Sequence, residues 1–316
     1  MVPKGPYLDF ELPVVEMAQK IEDLMKTSNA DSTAIKNLVL KKEKLQKKLQ
    51  KKLTPWQKVE LARRMGRPYT LDYAKNMFTD FIELHGDRCF ADDKAIITGF
   101  AKLDGQTVMI VGNQKGNDTK ESIKRNFGMS HPEGYRKAAR AMKLAEKFNI
   151  PIICFNDTPG AYPGIGAEER GQAQAIAENL KLMSGLEVPI IIVVIGEGAS
   201  GGALGIGLGD RLLMLQNACY YVITPEGCAA ILWKDSAKKK DVSAAMKLTA
   251  DDLYNLKVVD KIIPEPLGGA HWNPAEMYGT LKETLIKELL ELSSLKKSKL
   301  IEKRVEKYAS IGAFPE

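Results

Sequence analysis

Residues 189–210 read PIIIVVIGEGASGGALGIGLGD, and this stretch decides how the rest of the chain is understood. Six aliphatic residues, Ile190 to Ile195, follow one another without a polar break, the pattern of a strand buried on both faces. Gly196, Gly198, Gly201 and Gly202 come next, with Ala199, Ser200 and Ala203 among them, and Glu197 supplies the largest side chain. A strand that ends at Ile195 and opens into so bare a loop lets a ligand lie on the main chain, where backbone N–H groups can face a negative oxygen. Three chemistries use such a loop. G-x-G-x-x-G, met by 196–201, is the dinucleotide fingerprint, with Glu226 as the acid expected downstream. G-x-S-x-G, met by 198–202, is a nucleophile elbow with Ser200 as nucleophile. Its triad would need His271, with Asp235 or Asp260 between them, although His271 before a helix cap reads as a surface or capping residue. In the third chemistry the N–H groups of Gly201 and Gly202, at the start of a helix, form an oxyanion hole and no nucleophile is needed.

A second loop weighs on that choice. The apolar run 150–156 leads into DTPGAYPGIG (157–166), whose Pro159, Gly160, Pro163 and Gly164 fix a specific non-repeating path. Two strand ends with bare backbone are more informative than one, because α/β folds bind ligands there. Strand-like segments at 95–103 with 107–112, 150–156, 190–195, 220–224 and 258–263 alternate with helices at 133–148 and 167–183. This indicates an α/β domain with parallel pairing. In front lie two helices over 9–53, broken near 27–32 as a helical hairpin, with Leu38, Leu45, Leu49 and Leu53 on one face. A helix starts at Thr54-Pro55 and another runs from 70 to 84. Asn273-Pro274 caps a long helix to Leu292, and 297–308 forms a last one. The expected division is 1–90 for the helical front, 91–293 for the core and 294–316 for the tail.

The composition fits this picture. The 316 residues are 44% hydrophobic and 27% charged, with a net charge of +6, the profile of a globular protein with a sizeable core. No run of about 18 apolar residues predicts a membrane span, and the first residues lack the pattern of a signal peptide. Cys89, Cys154, Cys219 and Cys228 have no CxxC spacing, so reduced thiols and a cytoplasmic protein are expected. The lysines between Lys41 and Lys52 read as a solvated helix face. Lys115, Lys120, Lys124 and Arg125 fit either a solvated face or a meeting with phosphates or an acidic protein.

Several ordered motifs carry a family resemblance: RPYTLDY (67–73), GDR (86–88), ADD (91–93), RNFGM (125–129), PEGYRK (132–137), DTPGAYPG (157–164), GAEERG (166–171), SGGA (200–203), PEGCA (225–229) and PEPLGGAH (264–271). Together they resemble the alpha subunits of the carboxyltransferase of bacterial and plastid acetyl-CoA carboxylase, in the crotonase superfamily. Asn156 stands where that family usually has an aliphatic residue, and Ala199 where it usually has glycine. The resemblance implies a crotonase-like spiral of ββα turns with an N-terminal helical extension and C-terminal helices. It implies transfer of a carboxyl group from carboxybiotin to acetyl-CoA, giving malonyl-CoA, the first committed step of fatty-acid synthesis. The expected partners are a beta subunit in an α2β2 assembly, the biotin carboxyl carrier protein that delivers carboxybiotin, and biotin carboxylase, with no membrane. Zinc is expected on the beta partner alone and no cofactor is bound covalently, in keeping with the missing CxxC pairs and Met-Lys-Met acceptor. Gly201 and Gly202 would stabilise the biotin enolate with their N–H groups. Gly160, Ala161, Tyr162, Gly198 and Ala203 would shape the carboxybiotin pocket, and Ser200 would be a small loop residue.

Overall fold

A computed structural model of the chain describes residues 2–27 and 33–312. Eight strands form one sheet: β1 (Thr79–Glu83), β2 (Ile96–Leu103), β3 (Gln106–Asn113), β4 (Ile152–Thr158), β5 (Ile190–Ala199), β6 (Arg211–Leu215), β7 (Cys219–Tyr221) and β8 (Lys261–Ile263). The order is β1-β2-β3-β4-β5-β6-β8, with β7 also on β5. Pairing is parallel from β3 onward, while β1–β2 and β2–β3 are antiparallel. The expected parallel sheet is therefore a mixed one with an antiparallel edge.

β5 is the axis. All ten of its residues are buried, as the unbroken aliphatic run requires of a strand covered on both faces. Along one edge Ile191 to Val194 pair with β6, and further on Glu197 to Ala199 pair with β7. The strand thus continues through Gly196 to Ala199, so the expected loop after Ile195 is not there. The glycines have steric reasons instead. A Cβ on Gly196 would lie 2.6 Å from the Asp157 carboxylate, and one on Gly198 would lie 2.5 Å from the Tyr220 ring.

Two other expectations are corrected. The helix from Thr70 stops at Met77 and β1 takes the residues after it; and the helix at 167–183 is two, Ile165–Glu169 and Gln172–Gly185, parted at Gly171 with φ +80°. β6 is a strand for which the sequence suggested no element. The caps were legible. Thr54 Oγ1 accepts the Gln57 N–H ahead of Pro55–Ala62, and Asn273 accepts the Glu276 N–H ahead of Pro274–Ser293. The front helices Leu12–Thr27 and Thr33–Gln50 pack together, and Gln46 donates to the Leu267 carbonyl at 3.1 Å. Most of the break expected near 27–32 lies outside the described residues. No helix among the described residues is long and apolar enough to cross a membrane.

The closing helix, Lys297–Ala309, is anchored by one buried guanidinium. Arg304, 1% exposed, donates to both Asp210 oxygens at 2.8 and 2.9 Å and to the carbonyls of Met183, Leu186 and Val188. Asp210 in turn accepts the Ile190 N–H at 2.7 Å, which ties the tail to the first residue of β5. Arg304→Met leaves the Asp210 charge buried and unpaired, so urea unfolding should show a loss of about 3–5 kcal/mol. An Arg304→Met variant as stable as the parent would contradict this anchoring. Asn156, on β4, presents the opposite case: it is wholly buried, and neither its side-chain oxygen nor its nitrogen has a protein partner. Asn156→Val should raise the urea midpoint, by about 1 kcal/mol in stability, because an unpaired buried amide costs more than it returns.

Candidate active site

The ends of β4 and β5 bring the two glycine segments into contact. After Thr158 the chain turns through Pro159 and Gly160, where φ is +148°, a value that favours glycine. The Gly160 N–H donates to Thr158 Oγ1 at 3.1 Å, and the Tyr162 N–H donates to the Ser130 carbonyl at 3.0 Å. After Ala199 a short helix, Ser200–Leu204, begins without a side-chain cap. A Cβ on Gly202 would sit 2.3 Å from the Gly160 carbonyl carbon and 2.6 Å from the Ala161 nitrogen. Bare backbone at 202 is what allows the second loop to lie against this helix. At Gly201 an added Cβ would meet Ile176 Cδ1 at 3.4 Å and nothing nearer.

Helical geometry leaves the N–H groups of the first turn, those of Ser200, Gly201 and Gly202, without intrahelical partners. With no capping side chain, they are disposed to meet an anionic oxygen. Of the other residues expected in the pocket, Gly198 is buried in β5 opposite Tyr220, and Ala203 is buried in the helix. Tyr162 lies against His131, ring centroids 4.3 Å apart.

Beneath the two loops runs a chain of buried and half-buried charges that sequence reasoning did not assign. Lys115 Nζ is 2.7 Å from Asp157 and 3.1 Å from Glu197. Arg63 reaches Glu197 and Glu226, each at 2.8 Å, and the Tyr221 hydroxyl at 2.9 Å. The Tyr221 hydroxyl also donates to Glu197, and Asp157 accepts the Glu197 N–H at 3.0 Å. Burial would raise the Glu197 carboxyl, but the charges of Lys115 and Arg63 outweigh it and hold the group at about 2. Burial would likewise lower the Lys115 ammonium, and Asp157 and Glu197 reverse that. The sequence held one signal for this chain. Glu197 is a lone charge inside a buried strand, and such a charge must be paired. The basic region it draws on divides: Lys115 is half-buried in ion pairs, Arg125 bonds Glu121 at 3.0 Å, and Lys120 and Lys124 are exposed. A cleft of about 470 Å³ opens over this floor, lined among others by Met65, Tyr69, Phe127 and Pro159.

The competing chemistries do not find their geometry. Gly196 and Gly198 are strand residues, not a phosphate-binding turn, and Glu226 is taken up by Arg63. Ser200 does have a left-handed φ, +51°, as at a strand-to-helix elbow. Its would-be histidine, however, is neither on the surface nor a cap: His271 is 4% exposed and bonds Glu11 at 2.7 Å. Asp235 caps Ala237, and Asp260 accepts the Leu212 N–H and pairs with Lys307. All four cysteines are free thiols, and burial pushes Cys219 up to about 12.

Comparison with known proteins agrees with this selection. Residues 7–312 match the family model described as acetyl co-enzyme A carboxylase carboxyltransferase-like. The acetyl-coenzyme A carboxylase carboxyl transferase subunit alpha of Geobacter metallireducens is 55% identical over 313 residues, covering 98% of each chain. That of Halalkalibacterium halodurans is 53% identical, covering 97% of this chain and 96% of its own. Among solved structures, transcarboxylase 12S superposes with a TM-score of 0.56 at 21% identity, over 79% of this chain and 43% of that one. A Pseudomonas malonate decarboxylase hetero-tetramer gives 0.57 at 17% identity, over 68% and 87%. At those identities the likeness is one of fold, the crotonase-like fold of carboxyltransferases. By its sequence along nearly its whole length, the chain belongs to the acetyl-coenzyme A carboxylase carboxyltransferase family.

Proposed function

We propose that the chain is the alpha half of a biotin-dependent carboxyltransferase that moves a carboxyl group to acetyl-CoA, and that its glycine segments handle the donor. The observation that carries this reading is the contact between Gly202 and the Gly160–Ala161 backbone, beside the uncapped first turn of Ser200–Leu204. The donor is carboxybiotin on a separate carrier protein: its N–C bond breaks to give CO2, and negative charge gathers on the ureido oxygen. The N–H groups of Gly201 and Gly202 are assigned to that oxygen. The ureido nitrogen that lost the carboxyl takes up the proton from the acetyl methyl, whose carbon then bonds CO2 to give malonyl-CoA. No protein base is required, and Glu197, held ionised by two cations, serves as structure. Gly160, Ala161 and Tyr162 are assigned to the pocket wall, with Gly198 and Ala203 supporting it from behind.

The core carrying this chemistry is assigned to residues 91–293, to which the front section 1–90 adds not helices alone, as expected, but also β1 of the same sheet, with 294–316 as the tail. The beta subunit, with its zinc, is assigned the acetyl-CoA side of a shared α2β2 site. Carrier protein and biotin carboxylase complete the set of partners, in the cytoplasm.

The test is carboxylation of biocytin driven by malonyl-CoA, the reverse reaction, by the chain assembled with its beta subunit. Gly201→Pro removes one N–H at a position with steric room and should lower kcat about 10²–10³-fold. Gly201→Ala keeps the N–H and should stay within about threefold of the parent. Gly202→Ala, whose Cβ would enter the Gly160 backbone, should lose at least about a hundredfold. Equal effects of Ala and Pro at 201 would remove the oxyanion assignment. Ser200→Gly, which relieves the left-handed strain, should preserve transfer, and fluorophosphonate probes should leave Ser200 unlabelled. Labelling there would return the serine-hydrolase chemistry to contention.

A further inference from the structure

Three consecutive residues beside the cleft, Asn126, Phe127 and Gly128, have φ of +49°, +56° and +82°. Asparagine and glycine tolerate this region, but a bulky aromatic residue does not adopt it without strain. The turn is held from below at several points. Thr158 Oγ1 lies 2.7 Å from the Gly128 carbonyl, Asn126 Nδ2 donates to the Met129 carbonyl at 2.8 Å, and a Cβ on Gly128 would come within 2.9 Å of Lys115 Cγ. What this strained turn presents is Phe127, a residue 50% exposed. The ring gains little from the chain's own folding, and a strained residue fixed this firmly points to a ligand.

The ligand's character follows from the cleft. Met65, Tyr69, Phe127 and Pro159 give it apolar walls, and Lys115 and Glu197 lie in its floor. The floor network sets two cations, Arg63 and Lys115, against three carboxylates, Asp157, Glu197 and Glu226. That balance disfavours the several phosphate charges of a CoA, whereas the apolar walls suit the fused ring of a donor whose one carboxylate can meet Lys115. Lys115 has three donors and commits two to carboxylates, so one remains for a ligand oxygen. Pro159 adjoins Gly160, which places the cleft next to the wall assigned to the donor.

We propose that Phe127 is a specificity-determining residue that stacks on the fused ring of biotin as the donor enters, over the remaining donor of Lys115. This rests on the carboxyltransferase reading above. The test uses the assembled two-subunit enzyme with Phe127→Gly, which removes the ring while suiting the left-handed backbone, and Phe127→Tyr, which keeps a ring. Calorimetric binding of biocytin should weaken at least about tenfold in Phe127→Gly and return to within about threefold in Phe127→Tyr. The melting temperature should be unchanged or higher in Phe127→Gly, and the KM for malonyl-CoA should not move. Unchanged biocytin binding with a raised malonyl-CoA KM would overturn the proposal and place Phe127 on the CoA side. Loss of the complex on size exclusion would overturn it in favour of a subunit contact. A parent complex that neither binds nor carboxylates biocytin would remove the carboxyltransferase reading itself, and the proposal with it.

Discussion

The structure depends on one constraint: a ten-residue strand with no access to water must be held at a fixed position along its own length. Aliphatic burial on β5 supplies stability but little register, since neighbouring isoleucines and valines are nearly interchangeable. Ionic clamps supply the register. At the start, Arg304 holds Asp210, which holds the Ile190 N–H. In the middle, Arg67 donates to both oxygens of Glu265 and to the Ile195 carbonyl, at 2.8–2.9 Å. At the end, Glu197 is gripped by Arg63 and Lys115. Buried pairs of this kind add little net stability, because desolvation offsets attraction; their effect is to make one arrangement far better than its neighbours.

That fixed register is what the site needs. Gly202 meets the Gly160 backbone only if β4 and β5 end at matched heights, and a slip of one residue would turn every β5 side chain to the other face. Asp157 shows the coupling most directly. It stands at the end of β4, accepts the Glu197 N–H of β5 and receives Lys115 from the segment after β3. Three strand ends therefore share one carboxylate, immediately below the loop that carries Gly160. Donors aimed at an oxyanion work only when they need no rearrangement at the moment of reaction.

Much of this was legible in the sequence, and the failures have physical causes. β5, the Thr54 and Asn273 caps and the two glycine segments all rest on local signals, namely periodicity, capping chemistry and backbone freedom. β6, with five residues after a glycine-rich run, and β1, directly after a helical turn, are too short for a period to register. Gly196 to Ala199 read as loop because glycine is rare in strands, whereas here its absent side chain makes room for Asp157 and Tyr220. The charge network was hidden for another reason. Arg63 and Lys115 lie 134 and 82 residues from Glu197 in the chain, and no local pattern joins residues so far apart. The front section, expected as helices ahead of the core, supplies Arg63 and Arg67.

Arg63 also links the site to the surface. Besides Glu197 it holds Glu226, in the first turn of the helix Pro225–Trp233. The far end of that helix exposes Ile231, Leu232 and Trp233, at 67%, 67% and 45%. Large apolar side chains grouped on a surface mark a face that another molecule covers, in keeping with a subunit that works within a multi-subunit carboxyltransferase. That helix connects to Glu197 through the Arg63 guanidinium and through β7, whose Tyr221 pairs with Ala199 and donates to Glu197, and from Glu197 the Gly201 N–H is only four residues along the chain. On the proposed assignment of the Gly201 and Gly202 N–H groups, a change of a few tenths of an ångström at that end of β5 would matter to transfer, because oxyanion donors lose their advantage quickly as distance grows. What covers the apolar helix would then bear on the geometry of those donors.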